Sequence, residues 1–156
     1  MMITLTRMPV PFVIAAFCGL LMAGCGEPAS EPEEELRAWV ATGVEAAEDK
    51  DRRTIMSMIS SAYADARGNE PGDLDNLLRI YFLRQNRIVL LPTIDEITVY
   101  DETAGKIDLT VGMAGTNDRM LGFSADAYRF VLELEKDGGD WQLISARWGG
   151  LGDELR

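Results

Sequence analysis

Apolar side chains recur every three or four positions between residues 31 and 86, and every second position from residue 88 onward. The first period lines one face of a helix and the second lines one face of a strand. Leu36, Trp39, Val40, Gly43, Val44 and Ala47 predict a first helix that begins after Ser30. Pro32 fits its first turn, and Glu33, Glu34 and Glu35 sit near the positive end of its dipole. Asp51 predicts the cap of a second, shorter helix through Ile55, Met56 and Ile59. Residues 64–73 hold Gly68, Pro71 and Gly72 among polar side chains and predict a loop. Asp73 then predicts the cap of a third helix with Leu74, Leu77, Leu78, Tyr81 and Phe82 as its stripe.

Residues 88–91 predict a strand interrupted by Pro92. Apolar positions resume at Ile94, Ile97 and Val99 with a slip of phase, which predicts a bulge or bend. Ile107, Leu109, Val111 and Met113 alternate with smaller or polar residues in a second strand, and Tyr128, Phe130, Leu132 and Leu134 do so in a third. Asp137-Gly138-Gly139-Asp140 is a hairpin turn, since glycine accepts the positive φ such turns need. The last strand, residues 141–148, is apolar on both faces and is expected to be central. Three helices followed by an antiparallel meander of about four strands make an α+β domain. Because each strand has one apolar face, the helices must cover one side of a curved sheet.

The N-terminus carries a different signal. Arg7 precedes an uncharged run, residues 9–23, that is shorter than the roughly 20 apolar residues a membrane span needs. Small residues Ala23 and Gly24 then precede Cys25. This resembles the lipobox of bacterial lipoproteins, although Met22 stands where leucine is usual. The resemblance implies a signal peptide over residues 1–24, removed on the N-terminal side of a lipid-modified Cys25. Residues 25–35 are then an acylated cysteine and acidic tether, 36–149 a single domain and 150–156 a C-terminal tail. Cys18 lies in the segment to be removed, so no thiol and no disulfide would remain. Gly26 is not the aspartate that retains such proteins at the inner membrane, which points to the periplasmic face of the outer membrane.

From Glu31 to Gly149 the chain resembles the nuclear transport factor 2-like superfamily. The likeness rests on the order of elements, on residues 59–65 (Ile-Ser-Ser-Ala-Tyr-Ala-Asp) and on the closing strand, residues 141–148. It implies a cone-shaped α+β fold that isomerases, dehydratases and non-catalytic binding domains share, so the fold does not choose the function.

Charge and missing residue types narrow the chemistry. The net charge is −11. Residues 1–24 carry only Arg7, so the remainder is one unit more acidic, and nucleic acid and anionic headgroups repel it. There is no histidine, which removes the commonest general base and metal ligand. Without a free thiol, cysteine catalysis and thiolate metal sites are also excluded, and no glycine-rich phosphate loop is present. No cofactor or metal is expected. Asp65, Asn69, Asp73 and Asp75 do not have the spacing of a twelve-residue calcium loop and read as a solvated acidic loop.

Carboxylates and tyrosines remain: Tyr63, Asp65, Tyr81, Asp126 and Tyr128, with Trp148 on the closing strand. An aspartate base with a tyrosine oxyanion hole suffices for isomerase chemistry in a cone. None of these residues matches a catalytic motif by position. Tyr81 and Tyr128 read most simply as core side chains with bonded hydroxyls, and Tyr63-Ala64-Asp65 as a helix-terminating turn. Arg79, Arg84 and Arg87 read as the polar face of the third helix, and Trp39, Met56 and Met58 as core. The expectation is a membrane-tethered envelope module that binds a partner protein or a small apolar ligand without catalysis. The alternative is a cofactor-independent isomerase or lyase using Asp/Tyr chemistry. The two differ in whether an acid and a tyrosine converge inside the mouth of the cone.

Overall fold

The chain folds in the order α1 (Glu31–Glu48), α2 (Arg52–Ser57), α3 (Pro71–Arg84), β1 (Arg87–Val99), β2 (Ala104–Thr116), β3 (Phe123–Asp137) and β4 (Asp140–Gly150). The computed structural model describes residues 31–116 and 123–156. Cys25 and the whole signal-like segment lie outside the described residues. The strands form one antiparallel sheet in sequence order, β1-β2-β3-β4, and the three helices pack on one side of its curve. Among the described residues no helix is long and apolar enough to cross a membrane.

Helix α1 supplies the main seal. Its stripe brings Leu36 (0% exposed) and Val40 onto the sheet residues Ile107, Leu109, Leu132 and Leu134. Glu35 is in the second turn of α1, as its place in the predicted first helix implies, so the helix takes in the end of the 25–35 tether range. Glu35 accepts from Trp141 Nε1 at 2.7 Å and pairs with Lys136 at 2.6 Å. The helix and the β3–β4 hairpin are thus joined by packing and by charge at the same end. The opposite face of the sheet is polar: Asp108, alternating with Ile107 and Leu109, is buried against Lys106 at 2.7 Å.

The phase slip in the first strand is a bulge between Ile94 and Glu96, and a second bulge interrupts β3–β4 pairing at Glu133/Leu134. Bulges of this kind bend the strands and curve the sheet. Pro92 does not interrupt β1, contrary to expectation; it pairs with Val111 within one continuous strand. The reason lies at the edge. The Leu90 amide points outward and donates to Glu48 at 2.8 Å, so position 92, two residues on, also points away from β2. A proline there loses no ladder bond.

Three other expectations are corrected. Strand β4 is at the end of the sheet, not at its centre. Its outer edge is nevertheless paired. Leu143 donates to Met58 O at 2.9 Å, and Ser60, Ala64 and Ala66 donate to Leu143, Ile144 and Ala146 carbonyls. That cover gives β4 a hydrogen-bonded neighbour on both sides, as a central strand has. It also explains why α2 stops at Ser57 short of Ile59, which bridges Leu143 instead. Helix α3 starts at Pro71, with Glu70 as N-cap. Asp73 is the third helical residue and accepts from Glu70 N at 3.0 Å, so proline takes the early position its missing N–H suits. Asp51 does cap α2, accepting from Thr54 N at 3.1 Å. The tail folds back on β4, with Trp148 N donating to Arg156 O at 3.0 Å.

Gly105 marks the tightest approach between α1 and the sheet. A Cβ built there would lie 2.9 Å from Leu36 Cδ1 and 3.3 Å from the Thr98 carbonyl, whereas at Gly112 the nearest atom is 3.6 Å away. Overpacking a rigid core costs about 1–3 kcal/mol. Gly105→Ala should therefore destabilise by about that amount in a urea titration, while Gly112→Ala should stay within about 0.5 kcal/mol of the parent.

Candidate functional site

Helix α3 is fixed at its ends more than along its length. The Lys50 ammonium reaches the carbonyls of Gln85 and Asn86 just past the last turn, and Arg52 pairs with Asp75 in the first half. A cation at a helix C-terminus also meets the negative end of the dipole. Between these anchors the predicted stripe is real but incompletely covered. No α3 residue is fully buried, and Leu77 is 51% exposed. Under the helix lies an apolar groove of about 440 Å³, bounded by α3, the start of β1 and Met113.

The groove adjoins a cavity of about 300 Å³ at the same end of the sheet, lined by Tyr81, Gln85, Met113, Asp126, Tyr128, Phe130 and Trp148. Tyr81 and Met113 line both spaces. Tyr81 and Gln85 are one turn apart on α3 and its C-cap, so both face the sheet. Tyr128 and Phe130 alternate on β3 with tilted rings 6.5 Å apart, and Trp148 is the register partner of Phe130 on β4. Burial first, then the neighbouring Tyr128 and Asp126, push the Tyr81 hydroxyl above the ordinary tyrosine range. Tyr81 therefore remains a hydrogen-bond donor at neutral pH. Gln85 Oε1 is buried and accepts no hydrogen bond. Asp126 is exposed.

Asp65 is outside this cavity. It is buried and accepts from Arg67 N and Asn69 N at 2.8 Å each, from Asn69 Nδ2 at 2.7 Å and from Tyr63 OH at 3.3 Å. Burial alone would raise its pKa, but these bonds outweigh it and the carboxyl is held below the usual range. Burial and then the Asp65 charge move the Tyr63 hydroxyl upward. The turn aims Arg67, whose guanidinium stacks 4.4 Å from the Trp148 ring centroid and donates to Trp148 O at 2.9 Å. Asp65 thus supports one wall of the cavity from behind.

Of the residues singled out by sequence, Tyr81, Tyr128, Trp148 and Asp126 meet in the cavity; Tyr63 and Asp65 do not. Tyr81 and Tyr128 are wall residues, half-buried, rather than closed core. Phe130 is also half-buried, unlike Leu132 beside it. The sequence reading does not single out Gln85 or Arg67, and it places Met113 only on the apolar face of the second strand. Gln85 continues the α3 stripe four residues after Tyr81, and Met113 shares the face of Leu109 and Val111, so both were within reach of the periodicity. Arg67 carried no such signal. The other acids of this region are committed elsewhere, Asp73 to the α3 cap and Asp75 to Arg52.

No family model matches the chain, and no curated protein sequence does. Solved structures do match in fold. A ketosteroid isomerase-like protein from Erwinia carotovora atroseptica superposes with a TM-score of 0.66 at 13% identity, covering 79% of this chain and 98% of that one. A protein from Streptomyces avermitilis, named as a dehydratase of the NTF2-like family, gives 0.67 at 12%, covering 76% and 95%. A protein from Xanthomonas campestris, named as a calcium/calmodulin dependent protein kinase II association domain, gives 0.66 at 13%, covering 81% and 93%. The architecture is the NTF2-like α+β cone.

The Asp65 turn makes a test with a definite sign. A carboxyl with a depressed folded pKa stabilises the fold above its unfolded value, about 3.9, and that contribution is lost as pH falls through the folded value. Asp65→Asn should cost about 1–3 kcal/mol at pH 7, where buried donors lose a charged acceptor. The gap between the two proteins in urea titrations should narrow as pH is lowered below about 4. Trp148 emission should shift in the variant, because Arg67 is no longer aimed.

Proposed function

We propose that the protein is a membrane-tethered module of the bacterial envelope, anchored through acylated Cys25 at the periplasmic face of the outer membrane. Its cone cavity binds a small apolar ligand without transforming it. One observation carries this reading. Among the described residues two carboxylates are buried, Asp65, fully bonded outside the cavity, and Asp108, paired with Lys106 away from it, whereas the carboxylate that does line the cavity, Asp126, is exposed to water. Acid–base work in an apolar cone calls for a carboxyl withdrawn from water and free to exchange a proton with the ligand. Aromatic walls with a few polar atoms are the usual composition of a binding pocket. The acidic chain disfavours nucleic acid as partner. Two or three acyl chains on Cys25 would hold the domain stably at the membrane.

A cofactor-independent isomerase or lyase is the second reading. The closeness of Asp126 to Tyr81 favours it, as do the names of some structural relatives.

Two measurements bear on the proposal. Cells fed a palmitate analogue should label the protein, and Cys25→Ser should abolish the label; labelling that persists would overturn the anchor. The full chain in phosphatidylcholine nanodiscs should bind 2-naphthol, a ring with one hydroxyl, with saturable quenching of tryptophan emission that Trp148→Phe removes. Absence of saturable binding would overturn the binding role. Double-bond migration in a β,γ-unsaturated ketone that Asp126→Asn abolishes at unchanged melting temperature would establish the second reading instead.

A further inference from the structure

We infer that helix α3 is a second membrane contact, laying Ile80 and Leu83 into an anionic phospholipid surface with Arg79 and Arg84 among the headgroups. This rests on the proposed tether at Cys25 and adds a contact that the anchor does not supply. Helix α3 is apolar on two sides. Leu74, Leu78, Tyr81 and Phe82 turn toward the protein and are half-buried. Leu77, Ile80 and Leu83 follow at three-residue steps as a second stripe. Leu77 and Ile80 border the groove, and Leu83 stands outside it, 82% exposed. A helix apolar all round is normally buried all round. Among the described residues nothing covers Leu83.

The charges beside the stripe identify the cover. At about 3.6 residues per turn, Arg79 borders the Ile80–Leu83 pair on one side and Arg84 on the other. Both are exposed, and neither has an ion-pair partner among the described residues. The acids of α3 are engaged, Asp73 in the cap and Asp75 with Arg52. A second copy of the chain fits this face poorly. An antiparallel pair of helices that set Ile80 on Leu83 of the other copy would also set Arg79 against Arg84, like charge on like. A lipid surface meets every one of these groups. Aliphatic side chains enter the acyl boundary, while the arginine stems lie on it and their guanidinium groups reach phosphate. Anionic headgroups add attraction. The net charge of −11 repels such a surface from afar. Exposed charges are screened over about 8 Å at physiological salt, so at contact the arginines of α3 decide. The tether permits the pose. Lys50 joins the end of α3 to the chain just past the far end of α1. From Cys25 to Glu31 the backbone can reach about 20 Å, which lets α1 lie along the surface and bring α3 down to it.

The test uses the full chain carrying Leu83→Trp, an exposed position where the melting temperature should not change. Nanodiscs are made of phosphatidylcholine and phosphatidylglycerol mixed two to one. The added tryptophan emission, taken as the difference from the parent protein, should be blue-shifted and should be quenched when the lipids carry dibrominated acyl chains. Adding Arg79→Gln and Arg84→Gln should lower the ratio of inserted to free helix about tenfold. Replacing phosphatidylglycerol by phosphatidylcholine should do the same. Added emission that brominated lipid leaves unchanged would overturn the inference, and so would quenching indifferent to both the arginines and phosphatidylglycerol. Blue-shifted but unquenched emission, with two chains cross-linked through α3, would give the face to a second copy instead. Palmitate labelling is read on the same preparation. Label without quenching sinks the helix contact alone, and quenching without label sinks the Cys25 anchor alone.

Discussion

The contact of Leu36 with the bare backbone of Gly105 is the constraint from which the rest of the architecture follows. Only a residue without a side chain lets α1 come this close to β2, and Leu36 is fully buried as a result. Trp141 closes the same spot from β4, its ring 3.9 Å from the position a Gly105 Cβ would take, and its indole N–H is bonded to Glu35. Lys136 completes the lock by pairing with Glu35 while lying over the Trp141 ring. Helix, hairpin and central strand are thereby fixed at one end of the sheet. Met113, eight residues farther along β2, is about 26 Å away at about 3.3 Å per residue. There the last turn of α1, at Ala47, shares the cover of the sheet with a second element, which roofs the groove beside Met113.

Helix α3 is that roof, and it is attached differently. Where α1 is seated by apolar burial, α3 is held mainly by Lys50 on its C-terminal carbonyls and Arg52 on Asp75. A surface ion pair such as Arg52–Asp75 contributes little stability, about 0–1 kcal/mol. Hydrophobic seating would have been stronger, but it would have closed the groove. The partial exposure of Leu77 and Ile80 has the same origin, since side chains that line an open space cannot also be sealed from water. Elements that bound ligand sites are commonly drawn from the less stable parts of a fold.

What could be read from the sequence was whatever is local in the chain. The helical stripes, the bulge after Ile94, the Asp51 cap and the glycine turn at 137–140 each depend on a few adjacent residues, and each is present. Asp65 as a turn-former was legible for the same reason, because its acceptors face donors two and four residues away. The misreadings arose where distant chain decides the outcome. Pro92 looked like a break because its harmlessness depends on the outward direction of an edge amide. Strand β4 looked central because the segment that covers its edge, residues 58–66, has no strand pattern of its own. The cavity was half legible. Its tyrosines and tryptophan could be named, but bringing together Tyr81, Asp126 and Trp148 takes the curvature of the whole sheet.

The relatives in fold carry names as different as isomerase-like protein and association domain, so the scaffold leaves the chemistry open. What separates these outcomes physically is where a carboxylate stands relative to water. A buried carboxylate with spare lone pairs can take a proton from a ligand; a buried one whose oxygens already accept four hydrogen bonds cannot do so without breaking the turn it organises. Asp65 is of the second kind, and its bonds also hold Arg67 against Trp148. Asp126 lines the cavity but is exposed to water. Turning this cone toward catalysis would mean moving an acid inward by a full side chain and supplying it with fewer partners. Binding asks for neither, only for the aromatic walls and an apolar space beside them.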